Sequence, residues 1–140
     1  MSEILRGTYA YVVGKPSKLR RANVLVIEDH VDTGVWMGRA LQEQGFAVRW
    51  ERRAEHALLA LDETPVPDAI VLDLKLPGTD GAFIYDRIRE RQEYARTPIL
   101  VVTAVAEQDL PTWDDKRVRF LTKPVARKPI LETLEELLAR

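Results

Sequence analysis

The feature that most constrains the fold is a regular alternation, from residue 23 onward, of short apolar runs with helix-length amphipathic segments. Five runs have the length of strands, and four of them have the β-branched or continuous apolar character of strands covered on both faces. The runs are Val24–Ile27, Ala47–Trp50, Ala69–Leu72, Ile99–Thr103 and Val118–Leu121, and the helical segments are 32–44, 53–61, 80–91 and 128–139. This alternation is typical of βαβ units. We therefore expect an α/β fold with a doubly wound, five-stranded parallel sheet of order 2-1-3-4-5.

Residues 104–116 interrupt this pattern. Their sequence, AVAEQDLPTWDDK, contains a proline, a tryptophan and an acidic pair, and it has no continuous apolar stripe at helical spacing. A helix between the fourth and fifth strands is therefore expected to be short, shifted or irregular.

Length and composition exclude several classes of protein. A chain of 140 residues has room for one sizeable core, so we expect a single domain over residues 23–140 behind an N-terminal extension over residues 1–22. The formal net charge of −1 gives no bulk attraction to nucleic acid, and the lack of cysteine excludes disulfides and thiolate metal sites. The chain has neither the apolar core of a signal peptide nor an apolar stretch of membrane-spanning length, so we expect a cytoplasmic protein without a membrane role.

The N-terminal extension leaves alternatives open. Residues 9–13 have the pattern of a short strand, and a basic stretch that includes Lys15, Lys18, Arg20 and Arg21 follows them. The segment is either a partly disordered tail or a strand that adds to a sheet edge. In the second case the edge belongs to its own sheet or to that of a second copy, which would support a homodimer. A nucleic-acid-binding arm is the least favoured interpretation, because the domain is nearly neutral.

Polar side chains gather where the predicted strands end. Glu28 and Asp29 follow the first strand, Asp73 follows the third, Thr103 ends the fourth and Lys123 comes shortly after the fifth. In a doubly wound sheet these carboxyl ends share one edge, and carboxylates so close together repel unless a cation such as Mg²⁺ lies between them. Lys123 and the Thr103 hydroxyl are suited to bind an anionic group that is attached to one of the carboxylates. A carboxylate that becomes esterified to a phosphoryl group would satisfy every one of these groups.

Four sequence segments, VLVIEDH, IVLDLKLPGTDG, ILVVTA and FLTKP, closely resemble in order and spacing the receiver domain of two-component response regulators, which has a flavodoxin-like fold. The resemblance covers residues 23–140. It implies that Asp73 is the phosphoacceptor, which forms an aspartyl phosphate. It also implies that Asp29 binds Mg²⁺ directly, that Glu28 binds it through water, and that Lys75 offers its backbone carbonyl to the metal.

The same resemblance implies the remaining roles and the partners. Lys123 would bind the phosphoryl group, and the Lys123-Pro124 peptide bond would be cis. The Thr103 hydroxyl would move onto the phosphoryl group, and Phe120 would be the aromatic residue that changes position in the switch. The phosphoryl donor would be a histidine kinase or a histidine phosphotransfer protein. A downstream protein would bind the face formed by the fourth helix, the fifth strand and the fifth helix.

The sequence also departs from the family's pattern. Lys116 and Arg117 stand where a Gly-Ala pair is common, and Val125 replaces the usual aromatic. His30 is expected to face solvent rather than to bind metal. The three tryptophans, Trp36, Trp50 and Trp113, are interpreted as packing residues, with an exposed anchor as the alternative for Trp113.

Two rival functions remain to be weighed against the phosphoacceptor. A phosphorylation-independent adaptor of the same fold is the first, and the intact set of site residues argues against it. An aspartate-nucleophile phosphatase is the second, and it would need a general acid where Lys75 stands. Since no output domain follows residue 140, we expect a stand-alone receiver that catalyses only its own phosphorylation and dephosphorylation. A shuttle in a multistep phosphorelay is a variant of the same chemistry.

Overall fold

A computed structural model describes residues 21–139 and, before them, the backbone of two short strands. In these parts of the chain the strands are β1 (Ile4–Leu5), β2 (Thr8–Val12), β3 (Asn23–Ile27), β4 (Ala47–Glu51), β5 (Ala69–Leu72), β6 (Lys75–Leu76), β7 (Thr79–Asp80), β8 (Ile99–Thr103) and β9 (Val118–Thr122). The α-helices are α1 (Val31–Glu43), α2 (Ala54–Ala60), α3 (Gly81–Glu90) and α4 (Arg127–Leu138). Single 3-10 turns cover Gln92–Tyr94 and Glu107–Asp109.

The main sheet contains the predicted parallel core. Its strand order is β1-β2-β4-β3-β5-β8-β9. Five of these strands run parallel to one another: β4, β3, β5, β8 and β9. Numbered among themselves along the chain, these five have the order 2-1-3-4-5, which confirms the predicted doubly wound topology. In this topology the strand order reverses between β3 and β5, so the carboxyl ends of those two strands are where a ligand is expected.

Helices cover the sheet on both faces, which explains why its central strands are apolar without alternation. Val24 and Val26 of β3 pack into the core layer that also contains residues of α1 and α4. Leu25 and Ile27, one residue later in each case, pack into the opposite layer with residues of α2 and α3.

The ends of two helices follow local rules. Gly45, just after α1, has a φ of 94°, a left-handed conformation that glycine adopts without strain. Asp80 caps α3 because its Oδ1 accepts a hydrogen bond from the amide of Ala82 at 3.0 Å.

Residues 104–117, between β8 and β9, form an extended segment instead of a helix, with the turn Glu107–Asp109 as their one helical feature. We call this segment the strap. The Trp113 ring stacks on Tyr85 of α3 with centroids 3.7 Å apart, and Asp115 Oδ2 accepts hydrogen bonds from the Tyr85 hydroxyl at 2.6 Å and from Arg89 Nε at 2.8 Å. The predicted irregularity is confirmed. The expected face that includes a fourth helix between these strands is therefore wrong, since the strap takes that position.

The N-terminal strand pairs with this chain's own sheet. Strand β2 lies antiparallel to β4, with Thr8 opposite Glu51 and Val12 opposite Val48, and β1 pairs antiparallel with β2. The side chains of the extension lie outside the described residues, as does its basic stretch up to Arg20. Both the division at residue 22 and homodimer formation remain predictions.

Among the described residues, the helices are too short and too polar for any of them to cross a bilayer.

Candidate functional site

Two strand ends bring the acidic side chains together. Ile27 of β3 lies opposite Leu72 of β5, so the residues that follow each strand, Glu28 and Asp73, emerge next to one another at the carboxyl edge of the sheet. The amide of Asp73 donates to the carbonyl of Ile27 at 3.0 Å, which extends this pairing beyond the ladder. The side chains of Glu28 and Asp73 are 2% and 4% exposed. Two carboxylates this deeply buried need a cation.

Lys123 supplies one cation. Its Nζ donates to Glu28 Oε1 at 2.8 Å and to Asp73 Oδ2 at 3.0 Å. Its amide donates to the carbonyl of Thr103 at 2.7 Å, so the residue that follows β9 is held to the end of β8. The Lys123-Pro124 peptide bond is cis, as the resemblance implies.

The electrostatics of these three groups depend on one another. Burial raises the pKa of the Glu28 carboxyl above its ordinary value; the hydrogen bond from Lys123 opposes this effect, and repulsion from Asp73 adds to it. Burial alone would lower the pKa of the Lys123 ammonium, but its hydrogen bonds to Glu28 and Asp73 outweigh burial and raise that pKa. Lys123 is therefore charged at neutral pH, whereas burial makes the ionised form of Glu28 less favourable than it would be in water.

The donor set fits a hard divalent cation. The carboxylate oxygens of Glu28 and Asp29 and a ring nitrogen of His30 lie within 4.8 Å of one another. Asp29 Oδ1 is a buried oxygen that has no hydrogen-bond partner in the described part of the chain. Oxygen ligands and an unmet acceptor next to buried carboxylates suit Mg²⁺. The His30 side chain is 72% exposed, in agreement with its predicted solvent-facing position.

The remaining predicted residues surround Asp73 or lie behind it. The Lys75 amide donates to Asp73 Oδ1 at 3.0 Å, which fixes the carboxylate; the predicted use of the Lys75 carbonyl as a metal ligand remains a prediction. Thr103 is fully buried at the end of β8, and its Oγ1 accepts from the amide of Val105 at 3.3 Å. Phe120 of β9 is half-buried, and its ring lies 5.7 Å from that of Trp113 in the strap.

Two clefts are each lined in part by a residue of the site, Asp29 in the first and Lys123 in the second. One, of about 520 Å³, is lined by residues of the β4-α2 and β5-α3 connections together with Asp29. The other, of about 580 Å³ and more apolar, lies between α1 and the residues after β8 and β9; its lining includes Trp36, Lys123 and Pro124.

Sequence reasoning missed the groups that hold the acidic pair from behind. Trp50, interpreted as a packing residue, donates its indole N–H to the carbonyl of Glu28 at 2.7 Å. Arg52 Nε donates to the carbonyl of Asp29 at 3.1 Å. A signal for the first contact was present, since Gly34, in the first turn of α1, leaves the space that a large ring on β4 needs.

Known proteins are similar to this chain in sequence and in fold. The sequence model described as the response regulator receiver domain matches residues 24–135. The transcriptional regulatory protein TcrA of Mycobacterium tuberculosis is 34% identical over 119 residues, which are 84% of this chain and 43% of that protein. The phosphate regulon transcriptional regulatory protein PhoB of Rhizobium meliloti is 30% identical over 122 residues, 84% of this chain and 52% of that protein. The chain thus spans about half the length, or less, of these curated relatives.

A solved structure supports the fold. The receiver domain of a sensor histidine kinase from Pseudomonas aeruginosa PAO1, described with a magnesium ion coordinated in its active-site cleft, superposes with a TM-score of 0.74 at 24% identity. The match covers 85% of this chain and 98% of that domain. Response regulators are a signalling family rather than enzymes that turn over an external substrate. Because the family model spans well over half of the sequence, the chain belongs to the response regulator receiver domains.

Proposed function

We propose that this protein is a Mg²⁺-dependent phosphoacceptor that takes a phosphoryl group on Asp73 from a phosphohistidine of a kinase or a phosphotransfer protein. The observation that carries the proposal is the contact of Lys123 Nζ with both Asp73 Oδ2 and Glu28 Oε1, at 3.0 and 2.8 Å, in a site with an unmatched oxygen on Asp29. Such a site holds more buried negative charge than one ammonium balances. The Pseudomonas domain, whose site is described with magnesium, supports the choice of metal.

The chemistry is an in-line displacement at phosphorus. An oxygen of the Asp73 carboxylate forms the new O–P bond while the P–N bond to the donor imidazole breaks, and the electron pair leaves with the imidazole. The Lys75 amide holds one carboxylate oxygen in place throughout. An ammonium has three N–H donors, and within the described residues Lys123 uses two of them, which leaves one for a phosphoryl oxygen. A bound Mg²⁺ would neutralise charge that develops on the phosphoryl group, with Asp29, Asp73 and the Lys75 carbonyl as ligands and Glu28 as a ligand through water.

The signal would leave through the fifth parallel strand. Thr103 would move toward the new phosphoryl group, and Phe120 would turn inward into the space that Thr103 leaves. Phe120 contacts Trp113, and Trp113 stacks on Tyr85, so the strap would change with the aromatic switch. The downstream partner would therefore contact a surface made by the strap, β9 and α4.

Intact-mass spectrometry after incubation with acetyl phosphate and Mg²⁺ tests the proposal. We expect the wild type to gain the mass of one phosphoryl group, and both Asp73→Asn and the wild type in EDTA to gain none. Asp68→Asn is the matched control, because Asp68 lies at the opposite end of β5, where its Oδ2 accepts from the amide of Asn23. No gain on the wild type would favour the phosphorylation-independent adaptor instead. An equal gain on Asp73→Asn would mean that another residue accepts the phosphoryl group, which contradicts the assignment of Asp73.

A further inference from the structure

Three consecutive residues at the end of β4 hold the backbone of the acidic pair. Trp50 Nε1 donates to the carbonyl of Glu28 at 2.7 Å, and the amide of Glu28 donates to the carbonyl of Glu51 at 3.1 Å. Arg52 Nε donates to the carbonyl of Asp29 at 3.1 Å. The peptide units on both sides of Glu28 and the carbonyl of Asp29 are therefore all tied to β4.

Of the two side-chain contacts, the one from the indole is buried and the one from Arg52 is partly buried. Trp50 is 1% exposed, and it is among the largest fully buried side chains of the described residues. A Cβ placed on Gly34 would overlap the Trp50 ring, so the first turn of α1 passes directly over the indole. The ring thus lies beneath the loop that joins β3 to α1, and its N–H reaches a carbonyl in that loop.

This geometry bears on the side chains that follow. The Glu28 carbonyl belongs to the peptide plane that precedes Asp29, and a planar peptide with a fixed oxygen restricts ψ of Glu28 and φ of Asp29. Those two angles determine how the carboxylates of Glu28 and Asp29 are directed relative to Asp73. Groups that orient metal ligands in this way commonly change metal affinity about 10- to 100-fold when they are removed.

We infer that Trp50 is a positioning residue for the magnesium ligands, which acts through the hydrogen bond from its indole N–H to the carbonyl of Glu28. The inference rests on the proposed function, because it assumes that Glu28 and Asp29 bind the metal. Trp50 does not touch the reacting groups; its effect passes through the loop backbone.

Calorimetric titration of Mg²⁺ into the full-length protein tests the inference without any phosphoryl donor. Trp50→Phe keeps an aromatic ring beneath the loop and removes the donor. Trp50→Leu, whose side chain also has no hydrogen-bond donor, is measured beside it, so that a variant with a cooperative thermal melt is available if one of the two folds poorly. The matched control is Phe46→Leu, which trims a fully buried ring of the same core layer near the other end of β4, away from the acidic pair.

We expect the dissociation constant for Mg²⁺ to rise about tenfold or more in a folded Trp50 variant and to stay within about twofold of wild type in Phe46→Leu. Equal affinity in wild type and in the folded Trp50 variants would overturn the positioning role while leaving the proposed function intact. An equal loss in Phe46→Leu would also overturn it, since the effect would then be general to the core. If the wild type itself binds no Mg²⁺, the proposed metal site fails, and the positioning role fails with it.

Discussion

Lys123 stands between two buried carboxylates, and the charges of individual side chains explain much of how the site behaves. Its own side chain is 18% exposed, whereas Glu28 and Asp73 are 2% and 4% exposed. A buried ion pair gives little net stability, but removing one partner leaves a buried charge without compensation. The site is therefore sensitive to any change in its cations.

Replacing Lys123 by methionine should destabilise the metal-free protein at neutral pH. The aliphatic stem is retained, but Glu28 and Asp73 lose their shared ammonium, and we expect a loss of about 1–3 kcal/mol in the free energy of unfolding. Added Mg²⁺ should recover part of this loss, because a divalent cation can replace the missing charge. Urea denaturation with and without Mg²⁺ measures both effects.

The control for this variant is Lys128→Met, whose side chain is 83% exposed in the first turn of α4. It should change the unfolding free energy little, with or without the metal. A Lys123→Met protein as stable as wild type without Mg²⁺ would mean that the two carboxylates are not held against repulsion.

The charged residues of the site could be predicted from sequence, but the side chains that hydrogen-bond to the backbone of Glu28 and Asp29 could not. Glu28, Asp29 and Asp73 directly follow apolar strands, so a parallel sheet must bring them to one edge. The hydrogen bond from Trp50 to Glu28 joins side chain and backbone across two strands, and its direction depends on a rotamer and on the glycine opposite. No periodicity in the sequence encodes that direction.

Among the connections between the parallel strands, the strap is the one that contains no α-helix. Pro111 and the lack of an apolar stripe explain why no α-helix forms there. The strap is fixed instead by side chains: Trp113 stacks on Tyr85 with an interplanar angle of 7°, and Asp115 binds Tyr85 and Arg89 of the same helix. Sequence showed the irregularity, but not these contacts, which join residues 26 to 30 positions apart.

Trp113→Ala should release the strap without unfolding the sheet. The stack on Tyr85 and the contact with Phe120 are both lost, and we expect a loss of about 1–3 kcal/mol in unfolding free energy. Trypsin should then cut faster after Lys116 and Arg117 within the strap. Mass mapping of early fragments checks this, with Trp36→Ala on α1 as the control. Equal cleavage rates in the two variants would show that Trp113 does not hold the strap.

Asp115→Asn should weaken the strap in a pH-dependent manner. Burial favours the neutral acid, but hydrogen bonds from Arg89, Tyr85 and the Arg117 amide outweigh it and hold the pKa of Asp115 below its ordinary value of 3.8. A lowered pKa in the folded state stabilises the protein above that ordinary value, and the stabilisation is lost as pH falls through the lower, folded value. At pH 7 we expect the variant to be about 1–3 kcal/mol less stable.

Urea titrations over a pH series check this prediction. The difference in unfolding free energy between wild type and Asp115→Asn should shrink as the pH falls below 3.8. The neighbouring Asp114 is exposed, so Asp114→Asn is the matched control and should show little difference at any pH. A gap for Asp115→Asn that persists unchanged at low pH would contradict the role of its charge.

For the molecule as a whole, the parallel sheet could be predicted from the alternation of runs, because parallel strands covered on both faces must be apolar throughout. Its order, 2-1-3-4-5, is one of the two orders common in doubly wound sheets. The N-terminal strand was harder to place, since its pattern fits an edge of its own sheet or that of another copy. The structure pairs β2 with β4, at the edge opposite β9 and the strap. Strands β1 and β2 and the proposed output surface therefore lie at opposite edges of one sheet, and the proposed phosphoacceptor site lies at the carboxyl ends of the strands between them.

The proposed function depends on which oxygen receives the phosphoryl group. Borohydride reduces an acyl phosphate of aspartate to homoserine, so reduction after incubation with acetyl phosphate and Mg²⁺, followed by peptide sequencing in a mass spectrometer, locates the modified residue. We expect homoserine at position 73 in the wild type and none there without Mg²⁺. Homoserine at position 29, or at no position while the protein remains folded and binds Mg²⁺, would contradict the assignment of Asp73 as the phosphoacceptor.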